Sequence, residues 1–127
     1  MRFHDARLIS IELKDNCSAV IALLDDGDGA KHELFFEQLD RMRCIDFREG
    51  NIVLDVEIYK CTAPPIDILE RLFAVTTQKE IPAYLDVRIK KVEAGELTLV
   101  HITPSYGAEL IALCGSLRIT QMAGLNL

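Results

Sequence analysis

Apolar and polar residues alternate with a period of two along most of this chain, a pattern that predicts strands. In ARLISIEL, Ile9, Ile11 and Leu13 share one face, while Ser10 and Glu12 share the other with Leu8. After a short polar break, DNCSAVIALL is apolar on both faces, as a strand inside a sheet would be. DDGDG at 25–29 then supplies turn residues. In KHELFFEQ, His32, Leu34 and Phe36 fall on one side and Lys31, Glu33, Phe35 and Glu37 on the other. These two runs predict a hairpin. RMRCIDF alternates basic with apolar residues and predicts another strand, and REGN at 48–51 predicts a turn in which Gly50 is free to take positive φ. IVLDVEIYK sets Ile52, Leu54, Val56 and Ile58 against Asp55, Glu57 and Tyr59.

The period then changes. In PPIDILERLFAVTT, Leu69, Leu72 and Phe73 recur at helical spacing, widened by Ile66, Ile68 and Val75. Pro64 and Pro65 suit a helix start, Asp67 and Glu70 suit its positive end, and Pro82 bars extension far past Thr77. The spacing predicts one helix of about three turns. Beyond it, YLDVRIKKV, with Leu85, Val87 and Ile89 on one face, and ELTLVHIT predict two strands joined by a hairpin loop at EAG, 93–95. TPSYG at 103–107 predicts a turn, with Pro104 at a position of fixed φ and Gly107 at the fourth place. AELIALCGSLRITQ is the last strong element; Gly115 predicts a bulge or a break into two short strands. The tail MAGLNL either packs down or frays. Together the elements predict a mainly β (α+β) fold: an antiparallel sandwich or open barrel of about 7–8 strands, with one helix near residues 65–77. There is no repeat and no linker, and 127 residues argue for a single domain, 1–127.

Composition narrows the classes. Half of the residues are apolar and there is no Trp, so the core must be built from Leu, Ile, Val and Ala. The formal charge is −6 and no Lys/Arg cluster stands out, which argues against a nucleic-acid partner and leaves a basic protein partner open. The charged N-terminus MRFHDARL lacks the apolar core of a signal peptide, and the longest apolar run, AVIALL, has six residues, far below a membrane span. The expectation is a soluble cytoplasmic protein without a membrane association. Cys17, Cys44, Cys61 and Cys114 form no CxxC pair, so they read as buried small hydrophobes in a reducing compartment. A strongly apolar chain with sheet edges to manage also leaves a homodimer open.

Chemistry is sparse. DDGDG fails as a calcium loop, because from Asp26 the fifth position is Ala30 and the sixth Lys31. His4, His32 and His101 lie far apart and lack metal-ligand spacing; His32 and His101 share strand faces with leucines, the setting of hydrogen-bonded core histidines. No metal and no cofactor is expected. Ser105 lies in a Pro-Gly stretch and not in a nucleophile elbow, so no catalytic residue is assigned. No phosphate-binding glycine loop exists. Asp55 and Glu57 read as a solvated strand face. His4 and Asp5 precede the first strand and fit either a rigid sheet start or a hydrogen-bonded pair in a groove. The polar residues that could serve a binding site are His4, Asp5, His101, Ser105 and Tyr106.

FHDARLISIEL resembles the opening of a group of small bacterial proteins that begin with Phe-His-Asp-Ala and a strand; some are immunity proteins of polymorphic toxin systems. ELFFEQLDRMRCIDFREGNIVLDVEI is similar to their Phe-containing strands followed by an Asn-Ile-Ile/Val strand, and PSYGAELIALC resembles a C-terminal motif of uncharacterised relatives. Immunity members often carry Trp near the start, where this chain has none. The resemblance implies a mainly β fold and a non-enzymatic role, and supplies no catalytic residues. Two functions follow as expectations: a protein-binding module, immunity-like, using carboxylates such as Asp55 and Glu57; or a small-molecule-binding protein or enzyme with a pocket at the mouth of the curled sheet.

Overall fold

The computed structural model describes residues 3–14, 19–25 and 29–121. Their elements are β1 (Arg7–Lys14), β2 (Ala19–Asp25), β3 (Lys31–Ile45), β4 (Asn51–Tyr59), α1 (Ile66–Phe73), α2 (Ala83–Glu93), β5 (Thr98–Tyr106) and β6 (Glu109–Gln121). The strands form one antiparallel ring in the order β1-β2-β3-β6-β5-β4. The fold is therefore mainly β, as expected, but the sheet closes and has six strands, with two helices, among the described residues.

The strand count falls because two expected strands merge. KHELFFEQ and RMRCIDF are one strand, β3, paired with β6 from His32↔Gln121 to Ile45↔Glu109. The extra residue sits on β3, where the register shifts between Leu39 and Arg41 and Gln38 takes φ 53°. Gly115 makes this possible, since a Cβ there would collide with the Gln38 side chain. AELIALCGSLRITQ accordingly runs as one unbroken strand.

The second helix is a correction. YLDVRIKKV is not a strand but lies in α2, which starts behind Pro82. Leu85, Ile89 and Val92 fall at i, i+4 and i+7, so helical spacing was present beside the period-two reading. Leu85 and Val92 are buried, whereas Val87 is 51% exposed. EAG then ends a helix and does not turn a hairpin: Gly95 N–H donates to Val92 O at 3.0 Å. α1 is shorter than expected, at eight residues. Ala74 leaves the helix in the left-handed region, and Thr77 folds back, its N–H and hydroxyl both donating to Glu70 Oε2 at 2.8 and 3.0 Å. The basic residues of RMRCIDF serve this helix end. Arg41 Nε donates to Leu72 O at 3.2 Å and Arg43 donates to Arg71 O, satisfying carbonyls that the helix leaves open.

Two apolar cores result, one on each face of β5 and β6. Inside the ring, Leu24, Leu34, Phe36, Val100, Ile102, Leu110 and Cys114 pack together. Outside, Leu99, Ile111 and Leu113 carry Ile68, Leu69, Leu72 and Phe73 of α1 and Leu85 and Val92 of α2. Each such side chain contributes about 1.5–3 kcal/mol by leaving water. Among the described residues no helix is long and apolar enough to cross a membrane.

Simple alternation fails at two strands. β1 shifts register between Leu8 and Ser10, so Leu8 is buried while Ile9 and Leu13 are 41% and 59% exposed. β4 shifts twice between Ile52 and Asp55, which buries Val53 and exposes Ile52, Leu54 and Ile58. Two turns also move. Positive φ falls on Asp46, at 61°, and not on Gly50; and Pro104 to Tyr106 belong to β5, so the turn sits at Gly107 and Ala108. The hairpin of β2 and β3 forms as expected, with Asp25 opposite Lys31; residues 26–28 of its turn, Cys17 and the MAGLNL tail lie outside the described residues.

Candidate functional site

FHDA builds the seam that closes the ring. Phe3 and Asp5 take positive φ (69° and 65°), and Ala6 N–H donates back to Phe3 O at 2.9 Å. The tight turn drives the Phe3 ring inward, edge-on to His32 at 5.1 Å, and buries Ala6 completely. Asp5 N–H donates to Val53 O at 2.9 Å and Val53 N–H donates to Ala6 O at 2.7 Å, continuing the short pairing of Arg7 with Ile52 and Leu8 with Asn51. His4 and Asp5 themselves face out. Their side chains pair at 3.2 Å but are 47% and 73% exposed, on the rim and not in a groove.

Asn51 locks the same seam. Its carboxamide oxygen accepts from Arg48 N–H at 2.8 Å and Ala108 N–H at 3.1 Å, and its Nδ2 donates to Arg48 O at 2.7 Å. Gly107, at φ 87°, lies so close that a Cβ there would stand 2.5 Å from Asn51 Oδ1. Ser105 and Tyr106 flank this point on β5: Tyr106 is opposite Ile52, and Arg48 lies 5.6 Å over its ring. The structure thus brings His4–Asp5 and Ser105–Tyr106 to opposite sides of the start of β4, and sets His101 further along β5.

His101 is the centre of a different group. The outer face of the sheet aligns Arg43, Ile111, His101 and Glu57 on four adjacent strands. His101 is 6% exposed. Its Nε2 lies 2.8 Å from Glu109 Oε2, and Arg71 of α1 donates to the same oxygen at 3.1 Å. On the other side, Nδ1 is 3.5 Å from Glu57 Oε1 and from Thr103 Oγ1, and Tyr59 donates its hydroxyl to Glu57 at 2.7 Å. Burial pushes the Glu109 carboxyl up, but the hydrogen bonds and charges of His101 and Arg71 outweigh it and hold the group below its ordinary range. An ionised carboxylate only accepts, so Nε2 carries the proton. Burial, and then the Glu57 carboxylate, push the Tyr59 phenol up to about 12.

This group ties three strands to α1, through Glu57 and Tyr59 of β4, His101 and Thr103 of β5, and Glu109 of β6, which Arg71 bonds from the helix. Sequence reasoning found His101 but missed Glu109, Arg71 and Tyr59. The signal that locates Glu109 is the centre of the β5–β6 turn: with the turn at Gly107 and Ala108, Glu109 falls one diagonal step from His101. Among the described residues no cluster of three His, Cys, Asp or Glu side chains could hold a metal ion.

The recesses lie elsewhere. One, of about 510 Å³, is lined by Ile9, Ser10, Ile11, Met42, Cys44 and Phe47; Ile11, Met42 and Cys44 join its floor to the inner core. A second, of about 400 Å³, lies between α2 and the β3 bulge, lined by Gln38, Asp40, Arg88, Lys91 and Gly115 among others. A third, of about 290 Å³, follows the seam past Arg7, Asp25, Lys31, Arg48 and Asn51. His4, Asp5, His101, Ser105 and Tyr106 line none of the three. The cysteines differ from expectation: Cys114 is buried, Cys44 is half-buried and Cys61 is exposed. Comparison with family models and with curated proteins finds no match for the chain.

Proposed function

We propose that the chain is a non-enzymatic protein-binding module, immunity-like in that it covers a basic surface of another bacterial protein. One observation carries this reading: β4 exposes Leu54 and Ile58 beside Asp55 and Glu57, with Asp67 of α1 also at the surface. Exposed apolar anchors beside carboxylates are what a basic partner needs for affinity and for steering. The net charge of −6 acts in the same sense. The resemblance of the FHDA opening to immunity proteins supports the same class. Such a role belongs in the bacterial cytoplasm, where the exposed Cys61 thiol stays reduced. The test is native mass spectrometry of untagged protein purified at low salt from its own source. A mass excess equal to a second, basic polypeptide is expected, lost on replacing Asp55 and Glu57 together by Lys. A bare mass at low salt overturns the reading.

A second reading rests on the recess of about 510 Å³, whose size and apolar lining suit a small apolar ligand at the mouth of the ring. It predicts a small-molecule mass excess in the same spectrum, removed by Met42→Lys.

A further inference from the structure

β4 has two unlike edges. On the β5 side it is paired from Ile52 to Tyr59. On the β1 side, pairing reaches only Arg7 and Leu8, extended by the backbone bonds of Asp5 and Ala6 to Val53. From Leu54 to Tyr59 no described residue pairs with that side. Six residues of strand offer about 20 Å of open edge. The β4–β5 register runs without a shift from Asp55 to Tyr59, so this stretch is regular. Proteins usually blunt such edges with Lys, Pro or a bulge. LDVEIY contains neither Lys nor Pro, and from Asp55 onward it lies past the β4 irregularities, the last of which falls at Leu54. β1 also runs on without β4 beyond Leu8, but it carries a bulge and ends in a Lys14–Glu12 pair at 3.5 Å. β3 past Glu37 also lacks a partner on its β2 side among the described residues, but it carries the bulge at Leu39–Arg41 and basic Arg41 and Arg43; of the three, β4 offers the regular, acidic edge.

We infer that the Leu54–Tyr59 edge accepts, by strand addition, an extended segment of a basic partner protein in which Lys or Arg alternates with apolar residues. An added strand places alternate side chains on the two faces of the strand beside it. On β4 the outer face presents Asp55 and Glu57, and the inner face presents Val56 and Ile58, opposite Ile102 and Val100. Glu57 is 41% exposed despite its bond from Tyr59. Basic residues of the segment meet the carboxylates while its apolar residues meet Val56 and Ile58. A second copy of this chain is the wrong occupant. Antiparallel pairing of β4 with itself about Val56 would set Asp55 against Glu57 of the other copy at both ends, and like charges across strands are destabilising. This inference rests on the protein-binding reading and names its geometry.

The probe is an eight-residue peptide alternating lysine and valine, titrated into 15N-labelled protein. Three controls accompany it: one with glutamate for lysine, one N-methylated on every lysine, and one N-methylated on every valine. Saturable amide shifts confined to Leu54–Tyr59 and the facing β5 residues are expected. The glutamate peptide and one of the two N-methylated peptides bind at least about tenfold more weakly, because only one set of backbone amides faces the edge. Shifts elsewhere, no saturation, or equal binding by both methylated peptides overturns strand addition. If native spectra contain a partner polypeptide while the lysine–valine peptide misses β4, the edge is overturned and the protein-binding reading stands. If the peptide seats on β4 but no partner polypeptide is found, the edge stands and that reading falls.

Discussion

Asn51 joins its own turn, β1 and the start of β6 through one buried carboxamide, bonding Arg48, Leu8 O at 3.4 Å and Ala108. Asn51→Ala strands the N–H groups of Arg48 and Ala108 and the Arg48 carbonyl. A loss of about 2 kcal/mol is expected in urea unfolding, since the buried Ala108 N–H costs roughly 1–3 kcal/mol when orphaned and the part-buried Arg48 groups less. Little of this was legible beforehand. REGN announced a turn, but hydrogen bonds from Asn51 to Arg48 and Ala108 depend on where β6 begins. The cysteines teach the same lesson. Apolar preference made all four look buried, and this holds for Cys114, whose thiol burial pushes up to about 12, helped by the Glu37 charge. Cys61 escapes because it sits in a turn at φ 58° just past β4. Peptide mapping after brief alkylation at neutral pH is expected to find Cys61 modified, Cys44 slower, and Cys114 untouched until the protein unfolds.

At the scale of elements, the strands were legible and the second helix was not. Period two is unmistakable where one face meets a core, as with His32, Leu34 and Phe36 in β3. In 84–92, Leu85, Val87 and Ile89 satisfied a strand while Leu85, Ile89 and Val92 satisfied a helix, and a short apolar run cannot arbitrate. The two assignments differ in one measurable way. A strand puts Leu85 and Val87 on the same face, whereas α2 buries Leu85 fully and leaves Val87 exposed. Leu85→Ala is expected to cost about 2–4 kcal/mol and Val87→Lys less than about 0.5 kcal/mol, both read as shifts in the urea midpoint. Bulges are the other hidden feature. Those in β1, β3 and β4 each reverse the facing of later residues, so Leu8 and Ile11, Leu39 and Met42, and Val53 and Val56 all face the inner core at a spacing of three. Of the residues singled out for a binding site, only His101 stands in a buried polar network, and its partners come from three other elements.

For the whole molecule, that network makes stability depend on pH at both ends. Glu109 is held below its ordinary range in the fold, so its contribution is complete above the unfolded value near 4.5 and is lost as pH falls through the lowered folded value. Glu109→Gln is expected to be less stable at neutral pH and to show a flatter acid limb in thermal melts. Tyr59 behaves oppositely: its phenol ionises near 10 when unfolded and at about 12 when folded. Its contribution is present below 10 and lost between about 10 and 12. Tyr59→Phe is expected to remove the latest phenolate step in an absorbance titration. The ring itself has a consequence for biosynthesis. β6 is the last strand described in the chain, yet it lies between β3 and β5 and supplies one wall of both cores. A nascent chain that has not yet released residues 109–121 from the ribosome has β3 and β5 with no strand to join them. Beyond the β1–β2–β3 meander and the β4–β5 pair, which need no later strand, the closed ring and both cores therefore wait for β6 to emerge.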